Sequence, residues 1–97
     1  MLSSCERFSL KSWKWEVIED LNTPRMNASA CVLADIYVYV FGGLTNSNEF
    51  LNSIEWFNSD LKIWTPLNII MPSKISNTFA VPINEEEIII FGGLKRI

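Results

Sequence analysis

Residues Tyr39–Leu44 read YVFGGL, and fifty positions later Ile89–Leu94 read IIFGGL. An apolar run that twice ends in Phe-Gly-Gly-Leu, at a spacing of this size, is the mark of a repeat in which one supersecondary unit stacks on the next. A second pair of segments agrees with it. Glu6–Trp15 (ERFSLKSWKW) and Glu55–Trp64 (EWFNSDLKIW) align at a spacing of 49, with Glu6 on Glu55, Phe8 on Phe57 and Trp15 on Trp64. Downstream of each tryptophan comes a proline followed within two residues by a base, Pro24 with Arg25 and Pro72 with Lys74. The same landmarks in the same order, twice over, define a repeated unit rather than a recurring tetrapeptide.

Within one period the local chemistry is that of short strands. Ala28–Leu33 (ASACVL) and Ile36–Phe41 (IYVYVF) are β-prone runs joined through Ala34-Asp35, which reads as a hairpin. Leu51–Asn58 (LNSIEWFN) and Lys62–Leu67 (KIWTPL), split by Ser59-Asp60, form a second hairpin. Four strands per period follow, here lettered a to d, with no helix. In the second copy NTFAVPI and EIIIF flank Asn84-Glu85-Glu86.

Strand b constrains the architecture most. Ile36, Val38 and Val40 point one way and Tyr37, Tyr39 and Phe41 the other, so both faces are apolar and both need cover. A free-standing antiparallel sheet has a polar face, so these sheets are expected to stack face to face. A strand leaving a crowded junction between sheets needs positive φ or room for a neighbouring ring. Gly42, Gly43, Gly92 and Gly93 supply both, with Trp15 and Trp64 as the nearest large residues in kind.

Composition removes several classes of function. With 97 residues, 48% of them hydrophobic, the chain carries enough apolar matter for one small folded domain. A net charge of −3 offers no basic surface for phosphates, which argues against nucleic acid as a partner. No run approaches the roughly 18 apolar residues of a membrane span, and MLSSCERFSL lacks the charged and apolar regions of a secretory signal. Cys5 and Cys31 fit neither a CxxC pair nor a zinc pattern and read as reduced thiols, which places the chain in the cytosol or nucleus. The expectation is no membrane, no cofactor and no metal. The chain has no histidine, hence no imidazole base or ligand, and Glu85-Glu86-Glu87 reads as a solvated turn. Asn27-Ala28-Ser29 is formally a glycosylation sequon, but it opens a strand and no glycan is expected.

The paired Phe-Gly-Gly, the seven-residue Phe-to-Trp spacings and the Pro24-Arg25 and Met71-Pro72 boundaries resemble the kelch repeat family of β-propellers. The family usually has tyrosine where this chain has Phe8 and Phe57. The resemblance implies an all-β fold of antiparallel four-stranded blades in an incomplete propeller. In that frame residues 1–25 hold strands c and d of one blade, residues 26–72 a whole blade, and residues 73–97 strands a and b of a third. A closed ring takes about 4 to 8 blades of roughly 50 residues. These two blades' worth of strands belong either to a longer gene product or to an assembly completed by other chains, and the terminal strands present open edges.

For function, the resemblance implies a protein-interaction surface, often in ubiquitin-ligase adaptors or actin-associated scaffolds, although neither an adaptor domain nor an actin motif is visible here. Some kelch-like propellers are copper oxidases, a chemistry that lacks its histidine ligands in this chain. The expected role is a binding module with no catalysis. Its alternatives are the remnant of a propeller enzyme and a non-functional truncated copy. Topology puts the b–c and d–a connections at one rim, where candidate partner contacts are Thr45, Asn46, Asn48, Glu49, Phe50, Asn22, Arg25, Asn68 and Lys74. LTNSNEF could equally be a plain connector. Trp56 and Phe57 face opposite sides of strand c, so one of them could reach a partner. The partner is an unidentified protein, with other kelch repeats or copies of this chain among the options. Phe8, Phe57, Trp15 and Trp64 are assigned to blade packing.

Overall fold

The structure, a computed structural model, describes residues 5–95, and of Phe8 and Lys95 it describes the backbone alone. Eight strands are described: β1 (Cys5–Ser9), β2 (Lys14–Ile18), β3 (Ser29–Leu33), β4 (Tyr37–Phe41), β5 (Ile54–Asn58), β6 (Ile63–Pro66), β7 (Ile75–Pro82) and β8 (Ile88–Lys95). They form three antiparallel sheets: the hairpin β1-β2, a four-stranded sheet ordered β3-β4-β5-β6, and the hairpin β7-β8. The fold is all-β. The expected strands are all present, but their ends differ from the sequence reading in one informative place. β8 runs on through Gly92-Gly93 to Lys95, because Ser76 and Ile75 continue the ladder opposite Leu94 and Lys95. In the first copy the corresponding stretch keeps only an isolated bridge between Met26 and Leu44.

The repeat survives at the level of backbone register. Phe57 faces Trp64 across β5–β6, and Phe8 faces Trp15 across β1–β2. Both hairpins close with an i→i+4 bond into a left-handed residue: the Lys62 N–H (φ 61) donates to Asn58 O at 2.7 Å, the Trp13 N–H (φ 58) to Ser9 O at 2.8 Å. The β3–β4 turn is tighter. It is a three-residue connection, Ala34 to Ile36, in which Ala34 (φ 52) and Asp35 (φ 58) both sit in the left-handed region and the Ile36 N–H donates to Leu33 O at 3.2 Å. Alanine pays a steric penalty there that glycine avoids. Ala34→Gly is expected to raise the unfolding free energy by about 0.5–1 kcal/mol, read as a higher urea midpoint at unchanged slope.

Strand b is covered on both sides, as its two apolar faces require. On one face Cys31, Phe41, Ile54 and Met71 form the buried core, against which Ile88 and Ile90 of β8 pack. On the other face Val38, Phe57 and Trp64 meet Cys5 and Ile18 of the first hairpin around a cavity of about 290 Å³. The inner strands of successive sheets are also joined directly. The Thr78 hydroxyl donates to Ser29 Oγ at 2.8 Å in a buried contact, and the Asn77 N–H donates to Asn27 O at 2.8 Å.

The two glycine pairs occupy positive φ, at 62° and 97° for Gly42 and Gly43 and at 73° and 97° for Gly92 and Gly93. What crowds them is not a tryptophan. A Cβ on Gly42 would lie 2.5 Å from Ile75 O and 2.7 Å from Met71 Cε, and one on Gly43 would lie 2.6 Å from Met26 O. Gly42 thus makes room for the backbone at the start of β7, whose Ile75 O accepts from the Gly43 N–H at 3.1 Å.

The tryptophan landmarks part company. Trp64 is 9% exposed and tilts against Phe57 at 5.1 Å, whereas Trp15, assigned to blade packing by its equivalent position, is 68% exposed. The reason is cover. Trp64 has the β1–β2 hairpin beside it, and its indole N–H donates to Glu19 O at 3.0 Å, while no described strand lies on the corresponding side of β2.

Candidate functional site

The candidate rim is built from the loops that leave the ends of β4 and β6. Ser59 N–H donates to Ile36 O at 3.0 Å, tying the a–b and c–d turns together at one end of the sheet. The other end carries the longer connections. There Met71 N–H donates to Asn52 O and Ile75 N–H to Leu51 O, which brings the segment entering β7 against the loop between β4 and β5.

That loop is a structured turn rather than a loose connector. Thr45 N–H donates to Glu49 O and Asn48 N–H to Thr45 O, both at 3.0 Å, and Asn48 takes φ 60. The Thr45 hydroxyl accepts from the N–H groups of Ser47 and Glu49 at 3.2 and 3.3 Å. Leu44 bridges Met26 on one side and Phe50 on the other, so the base of the turn is pinned. Asn46, Asn48 and Glu49 are exposed at its tip, while Thr45 and Phe50 are half-buried. Asn68 and Lys74 are exposed on the neighbouring segment.

Arg25 and Asn22 do something else. Arg25 is buried, and its guanidinium is turned into the sheet rather than toward solvent. Nη1 donates to Gly42 O at 2.9 Å and Ser53 O at 3.1 Å, and Nη2 donates to Ser53 Oγ at 3.1 Å and Glu55 Oε2 at 2.9 Å. Both side chains of this ion pair are 1% exposed. Glu55 Oε1 accepts from Asn22 N–H at 2.7 Å and Asn22 Nδ2 at 3.1 Å, and Oε2 also accepts from Thr23 N–H at 3.0 Å. Asn22 Nδ2 further donates to Trp64 O at 3.2 Å. Arg25 is thus an internal strut, while Asn22 ties the d–a connection to Glu55 and stays exposed itself. A buried charge is tolerable only when paired and fully hydrogen-bonded, and this carboxylate has four donors.

Glu55 is the residue that sequence reasoning missed. It sits in strand c between Ile54 and Trp56, where alternation makes an acid look solvent-facing, yet it is the most deeply buried charged residue described. One signal for it was present: an acid recurs at the same place in the first copy, Glu6. Trp56 is half-buried, stacking on Tyr39 at 6.5 Å and meeting Tyr37 edge-on at 5.4 Å, whereas Phe57 is buried on the opposite face.

Chemistry beyond recognition finds little here. Burial pushes the Cys5 thiol upward, with Leu21 and Trp64 hydrogen bonds opposing it, and burial alone pushes the Cys31 thiol up. Both therefore stay protonated, poor nucleophiles at neutral pH. Among the described residues no group of three or more His, Cys, Asp or Glu is arranged to hold a metal. Glu85–Glu87 lie exposed in the β7–β8 turn, where Asn84 Nδ2 donates to Glu87 Oε1 at 2.8 Å.

A four-stranded antiparallel sheet covered on both faces by further sheets, with paired glycines at the exit of its second strand, is a propeller blade. The chain carries a kelch motif: residues 24–69 match it. Over 99 aligned residues it is 31% identical to Kelch-like protein 28 of Mus musculus, and to the same degree to Kelch-like protein 28 of Homo sapiens. Each alignment takes in 95% of this chain, which spans 17% of the length of either relative.

Proposed function

We propose that the chain is a protein-binding module, a stretch of kelch propeller with its recognition surface on the rim of the b–c and d–a connections and no catalysis of its own. In this reading residues 1–25 supply the outer half of one blade, 26–72 a whole blade and 73–97 the inner half of the next. The observation that carries it is the turn at Thr45–Glu49, whose exposed polar tip is held by its own hydrogen bonds and by the Leu44 bridges. A tip ordered before binding loses little entropy when a partner docks. Asn68 and Lys74 extend the surface, and the kelch motif supports a protein as the ligand.

The test is photocrosslinking from two rims. A crosslinker at Asn46 is expected to capture a discrete set of cellular proteins, and Asn48→Ala with Glu49→Ala is expected to reduce that capture by about tenfold or more. The same crosslinker at Glu86, on the opposite rim, serves as the comparison. Capture at Glu86 equal to that at Asn46, or insensitive to the loop substitutions, overturns the assignment.

A further inference from the structure

The rim opposite the proposed recognition loops carries its charges in two separate sets. Its inner turns are acidic: Asp35 lies in the β3–β4 turn and Glu85, Glu86 and Glu87 in the β7–β8 turn, all of them exposed. Its outer turns are basic. From the Arg7–Glu16 rung outward to the tip, the β1–β2 hairpin sets Arg7, Lys11 and Lys14 against Glu16, and the β5–β6 turn sets Lys62 against Asp60. This excess of base is gathered in a chain whose net charge is −3.

The two outer turns stand side by side. Glu16 Oε1 accepts from Arg7 Nη2 at 2.8 Å and lies 3.8 Å from Lys62 Nζ, so one carboxylate oxygen links the first hairpin to the turn of the second. Lys14 follows on the same face of β2 as Glu16, one pleat nearer the tip. One acid thus stands among three bases, and the fold holds the surplus positive charge together. The side chains of Arg7, Glu16 and Lys62 are 36%, 50% and 59% exposed, which leaves the cations open to a further anion.

Apolar side chains flank this charge. Leu10 in the first turn is 75% exposed and Leu61 in the second 65%. Both turns are ordered by bonds of their own. The Ser12 N–H donates to Ser9 Oγ at 3.2 Å, and the N–H groups of Asp60 and Leu61 donate to Asn58 Oδ1 at 2.9 and 3.1 Å. Lysines beside leucines on fixed turns suit a ligand that offers both carboxylates and apolar groups. An anionic membrane fits less well. A flat surface would also meet the acidic inner turns of this rim, whereas a narrow segment feels mainly the charges within about 8 Å of it.

We propose that the paired outer turns, residues 10–14 and 60–62, form a second docking surface, which takes an acidic protein segment with interspersed apolar residues. Lys14 and Lys62 bind its carboxylates, and Leu10 and Leu61 meet its apolar side chains. The surface lies on the rim away from the turn at residues 45–49, and it stands whether or not that turn binds a partner.

Fluorescence anisotropy on the purified chain tests it with a labelled Glu-Glu-Leu repeat peptide of about twelve residues, the Gln-Gln-Leu counterpart, and vesicles containing phosphatidylserine. The acidic peptide is expected to half-saturate at about 10–100 μM and to bind about tenfold more weakly when salt rises from about 50 to about 300 mM. Lys14→Glu combined with Lys62→Glu is expected to weaken binding by about tenfold or more, and Lys11→Glu or Leu61→Ser alone by about threefold. Glu86→Lys, which changes the charge of an inner turn of the same rim, is expected to leave the affinity within about twofold. All these positions are exposed, so circular dichroism is expected to stay that of the parent. Equal binding of the two peptides, affinity that the lysine reversals leave unaltered, or capture by vesicles without binding of the acidic peptide overturns the proposal.

Discussion

Glu55→Ala is expected to lower the unfolding free energy by about 3–5 kcal/mol, a third or more of what an ordinary domain of this size possesses. The loss comes from what stays behind. Without the carboxylate, the Arg25 guanidinium is left in a site 1% exposed to solvent, and the N–H groups of Asn22 and Thr23 lose their acceptor. An isolated buried ion pair can often be exchanged for apolar side chains at little cost. This one cannot, because Arg25 also serves the carbonyls of Gly42 and Ser53. Arg25→Met combined with Glu55→Leu is therefore expected to remain about 2 kcal/mol or more below the parent, since backbone groups of the rim would be buried without partners. Urea unfolding of both variants checks this. A Glu55→Ala midpoint within about 1 kcal/mol of the parent would show that the network does not hold the d–a connection to the sheet.

Trp64→Ala carries the second large effect, about 3–5 kcal/mol, by enlarging a cavity that already exists between the first hairpin and the central sheet. The indole also gives up its contact with Phe57 and its hydrogen bond to Glu19 O. The equivalent change in the first copy, Trp15→Ala, is expected to cost no more than about 1 kcal/mol in dilute monomer, and Asn48→Ala no more than about 0.5. Thermal melts of the three variants side by side are the measurement. Equal melting temperatures for Trp64→Ala and the parent would refute the packing assigned to this indole.

The contrast between the tryptophans bears on how far the chain can be read without its structure. Period, strand number, hairpin order and antiparallel sheets follow from local chemistry: alternation within five-residue runs, turn residues between them, glycines where φ must be positive. The double-faced strand b announced that sheets lie on both sides of it, and Val38 and Phe41 do face separate packings. These features depend on neighbours along the chain, and such neighbours are written in order.

Arg25 and Asn22 were legible only as polar residues in a loop, which by local chemistry belong to the solvent-facing rim. Their actual place depends on Glu55, thirty positions beyond Arg25, arriving beneath the loop when β5 joins β4. Likewise Trp15 and Trp64 occupy one position in two copies of a repeat, so the sequence assigns them one role. Burial is decided by what stands opposite, and the hairpin that covers Trp64 has no described counterpart over Trp15. Strand identity and turn geometry are properties of a few adjacent residues, whereas ion-pair partners, cavity walls and exposed edges arise only when segments far apart in the chain are brought to within a few ångströms of one another.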